Sequence, residues 1–411
     1  MEPKITGMTA LFSQSIGLEE PWYVRSIETR DNEVHAYIDV RDMSKLSCPE
    51  CGEMMERAGY EKEERVWRHG DCFFYPCYVH CRRPRVRCKE HGIKVVEAPW
   101  ARKHSRFTLM FEGYAMLMLG DMPRKKVSKL LRCNEKALTK IMNYWVMDAV
   151  EKMDLSGVKN ICVDETSFKR GQSYVTVVID GDERRVIDVE ENREAKAIEE
   201  FSYKLEEKGG KSEEIRQFVC DMSKPYKSGC ELCFPNATIV IDKFHVKKLI
   251  IDGMDEVRRT EQGKINKRKS GRKLLMIPER RQTEDQRKAV ENMSKKYPKT
   301  GRAYRMVQSI DYVYESTTEQ EASERLKSLI SWMKRSRLEP MKRVARTLKE
   351  RSTNILAYFR GKRTNAIAEG LNSMIQAAKR KARGFKTYEG FVTMIYLVAG
   401  KLQLACPKLF C

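Results

Sequence analysis

The chain has 411 residues, of which 41% are hydrophobic, and it carries a formal net charge of +21 at pH 7. This hydrophobic content excludes an intrinsically disordered protein, and the length predicts about two to four domains. No apolar run of about 18 residues and no amino-terminal signal sequence are present, so we expect a soluble intracellular protein that does not bind membranes.

The excess of basic residues predicts a polyanionic partner, because Lys and Arg that displace condensed counterions are a main source of affinity for nucleic acid. A generally basic, solvated surface is the alternative interpretation. Membrane-surface binding is a weaker one, since no basic amphipathic helix stands alone. The 13 cysteines of a large chain without a signal sequence do not indicate a disulfide framework.

The first hundred residues combine a β-hairpin pattern, over residues 21–40, with two pairs of potential metal ligands. A CxxC motif at Cys48 and Cys51 is followed, after 36 residues, by a CxxH motif at Cys88 and His91. Four such ligands in tetrahedral arrangement form a closed structural zinc site. This set is preferred, but four further residues leave the ligand choice open: Cys72, Cys77, His80 and Cys81.

Four arginines precede the second ligand pair: Arg82, Arg83, Arg85 and Arg87. Alternate members of an extended segment lie on one face of a strand. Such an arrangement suits contacts with phosphates, so we expect this segment to contribute to nucleic-acid binding.

Residues 107–119 have the composition of an apolar helix. Apolar positions at helical spacing on both sides of a break at residues 133–134 predict two short helices joined by a tight turn. This pattern is typical of a helix-turn-helix, with residues 134–144 as the candidate DNA-recognition helix. Any helical hairpin has a similar pattern, so the interpretation depends on the basic context.

Three strand-like segments in the middle of the chain each deliver a carboxylate at their end. The segments and the residues after them are 158–163 with Asp164, 215–220 with Asp221, and 238–241 with Asp242 and His245. A hairpin over residues 174–189 follows the first segment, and a helix over residues 193–207 precedes the second. This order of elements is typical of an RNase H-like sheet. Carboxylates that converge at its edge would form a metal site for phosphodiester chemistry.

Residues 246–358 show no β-alternation and are predicted to be helical. Within them, residues 258–307 contain 17 Lys and Arg against 5 Asp and Glu, a net charge of +12. Charge runs usually form solvated faces. Next to a nuclease-like sheet, however, we expect a surface for the DNA backbone that includes Lys267, Arg268 and Lys269.

A helix predicted over residues 365–383 carries the last candidate acid, Glu369. At about 100° per residue, Glu369 lies opposite the apolar positions of this helix. It shares its side with three amides and one base: Asn365, Asn372, Gln376 and Arg380. An exposed helical Glu usually has no function, but these neighbours are typical of a metal ligand beside phosphates.

Several motifs are specific in combination: Val163-Asp164-Glu165, Asp221-Met222-Ser223 with Pro225-Tyr226, Asp242 through Val246, and residues 365–372 with Lys379, Arg380 and Gly384. Together with the CxxC motif, the Pro99-Trp100-Ala101 junction and the helix-turn-helix, they resemble the transposases of the ISL-three family of bacterial insertion sequences. The resemblance covers nearly the whole chain. The second metal-ligand pair departs from the family pattern, in which two cysteines are more usual than Cys88 and His91.

The resemblance implies an RNase H-like catalytic domain with a DDE triad, interrupted before its last acid by a helical insertion. It implies that Asp164, Asp221 and Glu369 are the catalytic acids, and that Asp242 and His245 form an accessory DxxH element. The strand before Asp221 is expected beside the strand of Asp164, with Asp242 one strand further out. Asp242 is the alternative second acid.

The fold class implied is a multidomain α+β protein with five segments: a zinc-binding β-rich domain (1–98), a helix-turn-helix domain (99–152), the first part of the core (153–246), a basic helical insertion (247–358) and the second part of the core (359–411). The implied cofactors are a structural Zn²⁺ and two catalytic Mg²⁺ or Mn²⁺ ions held by the acids. Water attack on the DNA would free a 3′-hydroxyl, which would then attack target DNA.

The implied partner is double-stranded DNA, both the element ends and the target, bound by a homodimer or higher oligomer in the bacterial cytoplasm, at the nucleoid. Lys379 and Arg380 are expected to contact this DNA. Two alternatives stay open from the sequence alone. One is a non-catalytic DNA-binding regulator that uses the zinc and helix-turn-helix domains, and the other is an RNase H-like nuclease without strand transfer.

Overall fold

The computed structural model describes residues 7–54, 56–169, 174–191, 195–263, 270–361 and 366–406. These residues fall into two compact units. One unit lies within Met1–Glu151, Lys381–Arg383 and Leu402–Cys411, and the other within Lys152–Arg380 and Gly384–Lys401. No helix in the described ranges is both long and apolar enough to cross a membrane.

The amino-terminal part of the first unit consists mainly of strands. Its elements are α1 (Gly7–Ile16), β1 (Trp22–Arg30), β2 (Glu33–Val40), β3 (Glu56–Tyr60), β4 (Arg65–Cys72), β5 (Tyr75–Cys81), β6 (Pro84–Cys88) and β7 (Gly92–Val95). Four strands form one sheet in the order β1-β2-β5-β4, and three form a second in the order β3-β6-β7. The predicted hairpin over residues 21–40 is confirmed as the antiparallel pair β1 and β2. Trp100 packs edge-on against Trp22 and Trp67 in the core of the larger sheet.

Three helices follow in the same unit: α2 (Leu109–Asp121), α3 (Arg124–Leu130) and α4 (Glu135–Glu151). The predicted pair of helices around residues 133–134 is confirmed as α3 and α4. The second helix continues beyond the predicted end at residue 144, because Trp145, Val146 and Ala149 extend its buried apolar stripe.

The second unit is organised around a five-stranded sheet. Its elements are β8 (Asn160–Ser167), β9 (Tyr174–Asp180), β10 (Arg185–Glu190), α5 (Ala195–Glu207), β11 (Gln217–Cys220), α6 (Lys224–Cys233) and β12 (Thr238–Ile241). The strand order is β10-β9-β8-β11-β12. β8, β9 and β10 are antiparallel neighbours, whereas β11 runs parallel to both β8 and β12. The expected position of β11, between β8 and β12, is confirmed.

Asp164 lies inside β8, whereas the sequence pattern predicts that it directly follows the end of the strand. The polar residues after Val163 suggest that the strand stops there. The backbone nevertheless stays extended, because β9 pairs with β8 from Ile161 through Ser167. Asp221 and Asp242 directly follow β11 and β12, in agreement with the prediction.

Helices make up the described part of the chain from Lys243 to Gly361. They are α7 (Lys243–Gln262), α8 (Ser270–Leu275), α9 (Glu284–Lys296), α10 (Pro298–Tyr314), α11 (Glu319–Arg335), α12 (Glu339–Glu350), α13 (Ser352–Leu356) and α14 (Tyr358–Gly361). Their buried apolar residues form one cluster, which reaches the sheet through Ile241. Two further helices, α15 (Ala366–Lys381) and α16 (Tyr388–Ala399), complete the order of elements.

Candidate functional site

The two predicted metal-ligand pairs converge in the first unit. Cys48 and Cys51 lie on the turn between β2 and β3, Cys88 ends β6, and His91 lies on the turn before β7. The ligand atoms of the four residues all lie within 4.8 Å of one another. Among the described residues, no other group of three or more Cys, His, Asp or Glu side chains has its ligand atoms this close together.

The spacing of these four ligands fits a zinc ion. In a tetrahedral site with Zn–S bonds of about 2.3 Å, two thiolate sulfurs lie about 3.8 Å apart. Cys51 Sγ lies 3.8 Å from Cys88 Sγ, and Cys88 Sγ lies 3.4 Å from His91 Nδ1. Hydrogen bonds from the backbone of His91 and from its side chain lower the pKa of Cys88 to about 7, which favours the thiolate that zinc binds. Three thiols and one imidazole therefore form a structural zinc site.

The other residues that left the ligand choice open are placed elsewhere. Cys77 and Cys81 are buried in β5, where burial raises the pKa of both thiols to about 12. His80 makes hydrogen-bond contacts of 2.9 Å with His35 and 3.0 Å with Glu64. The preferred ligand set from the sequence is thus the one that the structure brings together.

The four arginines before Cys88 differ in their surroundings. Arg83 forms two hydrogen bonds of 2.9 Å with the carboxylate of Glu61, and Arg85 is half-buried on β6. Arg82 and Arg87 are exposed. The exposed pair keeps its charge available for phosphates, whereas the charge of Arg83 is neutralised within the protein.

The turn between α3 and α4 has two features of a defined helix-turn-helix. Arg132 adopts a left-handed backbone with φ of 50°, which ends the path of the first helix. Asn134 caps α4, because its Oδ1 accepts a hydrogen bond of 2.7 Å from the amide of Ala137.

A buried ionic cluster fixes α2 against α4. Glu112 has no exposed surface. Its carboxylate accepts two hydrogen bonds from Arg102, one of 2.7 Å from Ser105 Oγ and one of 2.7 Å from Trp145 Nε1. Every buried charge in this cluster is therefore paired, as a stable arrangement of buried ions requires.

In the second unit, helix α15 docks on strand β8 through polar side chains. Asn372 Nδ2 donates a hydrogen bond of 2.6 Å to Asp164 Oδ2, and Gln376 Nε2 donates one of 2.7 Å to Thr166 Oγ1. Lys379 Nζ donates to the backbone oxygen of Ser167 at 2.6 Å. Two amides of the predicted polar side, Asn372 and Gln376, thus contact the strand that carries the first candidate acid, whereas Glu369 is exposed. Arg380 is exposed.

Asp164 and Glu369 lie in a shared electrostatic environment with Asp242 and His245. Desolvation raises the pKa of Asp164, and the charge of Asp242 adds to this effect, whereas His245 lowers it. Desolvation likewise raises the pKa of Glu369, and the negative charges of Asp242 and Asp164 raise it further. Like charges raise one another's pKa only at short range, so these acidic side chains lie near one another at the sheet.

The two aspartates that follow parallel strands have different surroundings. Asp221 is half-buried, and its Oδ1 accepts a hydrogen bond of 2.7 Å from the amide of Ser223. Asp242 is only 3% exposed, and its amide donates a hydrogen bond of 3.0 Å to the backbone oxygen of Cys220. The two strand ends are therefore tied together at the edge of the sheet.

A buried tyrosine near the acids is not among the site residues predicted from the sequence. Tyr226 Oη lies 2.8 Å from Thr176 Oγ1 and 3.3 Å from Glu165 Oε1, the carboxylate next to Asp164. Its position in the Pro225-Tyr226 motif is the only signal for it in the sequence.

The basic run has only partial structural support. Lys267, Arg268 and Lys269 lie outside the described residues. Several basic side chains of the described part are paired with acids, including Arg280 with Glu315 at 2.6 Å. The expected DNA-backbone surface in this region therefore stays a prediction.

Three family models match the chain over the segments that carry these features. A transposase model matches residues 161–395, more than half of the chain. The helix-turn-helix domain of transposase family ISL3 matches residues 96–146. The zinc-finger of transposase IS204/IS1001/IS1096/IS1165 matches residues 45–91, the segment with the Cys₃His site.

Two curated transposases are similar to this chain over most of their length. The transposase for insertion sequence element IS1557 of Mycobacterium tuberculosis is 23% identical over 94% of both chains. The transposase for insertion sequence element IS1001 of Bordetella parapertussis is 22% identical over 85% of this chain and 88% of its own. The helix-turn-helix and transposase matches imply DNA binding. The chain belongs to the ISL3 family of transposases.

Proposed function

We propose that this chain is a DDE transposase that cleaves DNA at the ends of an insertion sequence and joins those ends to target DNA. In the first step a water molecule attacks a phosphodiester and frees a 3′-hydroxyl. In the second step that hydroxyl attacks a phosphodiester of the target, and the bond broken there releases a new 3′-hydroxyl. The number of phosphodiester bonds is conserved in the second step, so no high-energy cofactor is needed.

The observation that carries this proposal is the contact of α15 with β8. Asn372 binds the carboxylate of Asp164, and Glu369 lies on the same helix, one turn earlier. The negative charge of Asp164 also raises the pKa of Glu369. Two acids from distant parts of the sequence are thus neighbours, as catalytic carboxylates of an RNase H-like sheet interrupted by a helical insertion would be.

Asp221 is proposed as the second acid. Its strand β11 pairs directly with β8, with Val219 opposite Cys162. The same register continued by two residues would bring Asp221 level with Asp164, on the same face of the sheet. Asp242 follows β12, one strand further out, and we propose that it supports the site together with His245.

The donor set fits hard divalent cations such as Mg²⁺ or Mn²⁺. Carboxylate oxygens are their preferred ligands, and the buried Oδ1 of Asn372, which has no partner among the described residues, adds a free oxygen beside Asp164. When bound, two such cations would stabilise the charge on the attacking and leaving oxygens of the phosphodiester. The residues of the chain hold the acids in place: Asn372 orients Asp164, and the α15–β8 contacts fix the position of Glu369.

The remaining segments would bring DNA to this site. We propose that the zinc-binding domain and the helix-turn-helix recognise the element ends as double-stranded DNA. Lys379, Arg380 and the basic helical segment would contact its backbone. A homodimer or higher oligomer on DNA, in the cytoplasm and at the nucleoid of a bacterium, completes the proposal.

A strand-transfer assay separates this function from its rivals. The purified protein is incubated with duplex DNA of the element end and a target plasmid, in Mg²⁺ and in EDTA. A transposase gives joined products that depend on Mg²⁺. Cleavage without joining would identify a nuclease, and specific binding with neither reaction would identify a DNA-binding regulator.

A further inference from the structure

The turn between β4 and β5 exposes two phenylalanines at its tip. Phe73 is 78% exposed and Phe74 is 92% exposed, the largest exposures among the large hydrophobic side chains of the described residues. The adjacent Tyr75 is 45% exposed. Single exposed apolar residues are common, but a contiguous aromatic group at the end of a hairpin usually marks a contact with another molecule.

The backbone of this turn is unfavourable for the residues it contains. Cys72 pairs with Tyr75, so Phe73 and Phe74 form a two-residue hairpin turn. Their φ values are 47° and 72°. Positive φ at both positions is typical of a type I′ turn, which strongly favours Asn-Gly, and bulky side chains rarely adopt it. Neither solvation nor local conformation accounts for two phenylalanines here, and backbone strain of this kind is concentrated at functional sites.

The backbone of the tip is bound to the helix-turn-helix by polar contacts. Arg132, in the turn between α3 and α4, donates a hydrogen bond of 2.6 Å to the backbone oxygen of Phe74. Arg132 also forms an ion pair with Asp71, to which Arg68 is paired from the other side. The aromatic pair is thus fixed beside the turn that precedes the candidate recognition helix α4.

The charges around the tip indicate what it contacts. The exposed basic side chains of α3, the helix that directly precedes Arg132, are Lys125, Lys126 and Lys129. A surface that combines these cations with unpaired aromatic rings is complementary to a polyanion with stackable bases, and less so to an apolar protein surface. In a helix-turn-helix complex the start of the recognition helix meets the base edges in the major groove, so the tip lies next to duplex DNA.

We propose that Phe73 and Phe74 form an apolar wedge that inserts between base pairs of the duplex DNA bound by the helix-turn-helix. The proposal rests on the DNA binding included in the proposed function. Inserted aromatic side chains partly unstack a base step and kink the duplex, which allows a larger protein surface to contact it. The preformed hairpin supplies the wedge without a loss of backbone freedom on binding.

The test uses the full-length protein and a duplex of the element's terminal sequence in which 2-aminopurine replaces adenine at successive positions. The variant is Phe73→Asn with Phe74→Gly, which introduces the residues that the turn geometry favours and so keeps or raises the melting temperature. Leu232→Asn is the matched control, because Leu232 is a 74% exposed apolar side chain on α6. If the double variant does not fold, Phe74→Gly alone replaces it.

We expect a several-fold rise in 2-aminopurine fluorescence at one base step with the wild type and with the Leu232→Asn control. The hairpin variant should lose this signal and bind the duplex about tenfold more weakly, the scale of one base–aromatic contact. An unchanged signal and affinity in the hairpin variant would overturn the wedge. The wedge is also overturned if the wild type binds DNA without unstacking any base step. It is overturned as well if the hairpin substitutions change only the self-association of the protein, measured by sedimentation. In these three cases the cleavage function stands, whereas a wild type that binds no duplex overturns both proposals.

Discussion

The side-chain amide of Asn372 donates a hydrogen bond of 2.6 Å to the carboxylate of Asp164, across a sequence separation of 208 residues. This bond joins helix α15 to the central strand β8. It also fixes the orientation of one carboxylate and, through the helix, the position of Glu369. The contact therefore links the two halves of the proposed catalytic site.

Replacement of Asn372 by Ala is expected to lower the rate of DNA cleavage by about 10- to 100-fold, the usual effect of losing a residue that orients a metal ligand. The Mg²⁺ concentration for half-maximal activity should rise, while DNA affinity stays at the wild-type value. Ser373→Ala is the control, because Ser373 is an exposed neighbour on the same helix. Equal Mg²⁺ dependence in both variants would show that Asn372 has no positioning role.

The zinc site predicts about one zinc ion per chain by elemental analysis. Cys48→Ser or Cys88→Ser should remove the ion and destabilise the amino-terminal region, because metal binding and folding are coupled. Cys72→Ser, which changes a cysteine outside the cluster, should keep the ion. A fully folded wild type without zinc would contradict this account.

Glu112→Ala is expected to lower the free energy of unfolding by about 3 kcal/mol, because it removes the fully buried acceptor of Arg102, Ser105 and Trp145 and leaves the half-buried guanidinium of Arg102 without its partner. The exposed pair of Glu97 and Lys103, 3.8 Å apart, is the control. Glu97→Ala should cost less than about 1 kcal/mol. Urea unfolding of both variants measures the difference, and similar losses would mean that the Glu112 cluster is not a structural anchor.

His69 predicts a pH dependence of stability. Desolvation, together with the charge of Arg68, lowers the pKa of His69 to about 4, below its ordinary value of 6.5. As the pH falls, His69 is protonated in the unfolded chain before it is protonated in the folded protein. The free energy of unfolding therefore has its full value above about pH 6.5 and decreases as the pH falls toward 4. Between pH 7.5 and 5 the loss should be about 2 kcal/mol.

The comparison for His69 is the variant His69→Gln, which cannot titrate. This variant should be less stable than the wild type near neutral pH, because the contact of 2.9 Å between His69 and Thr108 is altered. Its free energy of unfolding should decrease less steeply as the pH is lowered. Proton-linked loss of zinc is common to both proteins and cancels in the difference. Parallel pH curves would contradict a neutral buried His69.

Local patterns predicted the zinc ligands and the succession of strands along the chain, whereas the place of β11 beside β8 was implied by the family resemblance. The pairs Cys48–Cys51 and Cys88–His91 each lie on one short turn, so their spacing alone specifies two ligands on one side. The strands are short and bounded by turn residues, so the sequence pattern identified them and their succession along the chain. The carboxylates Asp221 and Asp242 follow from the ends of those strands.

Long-range contacts explain what the sequence could not predict. The end of β8 depends on pairing with β9 and not on the polarity of residues 164–167. The bond between Arg132 and Phe74 joins segments 58 residues apart that have no shared motif. Tyr226 on α6 and Glu165 on β8 likewise meet only in the folded protein. Each of these features depends on tertiary contacts, to which propensity and spacing are insensitive.

The most direct test of the central claim compares Asp221→Asn with Asp242→Asn in the strand-transfer assay, with Asp164→Asn as the inactive reference. Each change keeps the side-chain shape and removes the charge that a cation needs. Circular dichroism and DNA binding establish that each variant is folded. The account predicts that Asp221→Asn abolishes cleavage and strand transfer, whereas Asp242→Asn retains measurable activity. A fully active Asp221→Asn together with a folded but inactive Asp242→Asn would contradict it, and the triad would then be Asp164, Asp242 and Glu369.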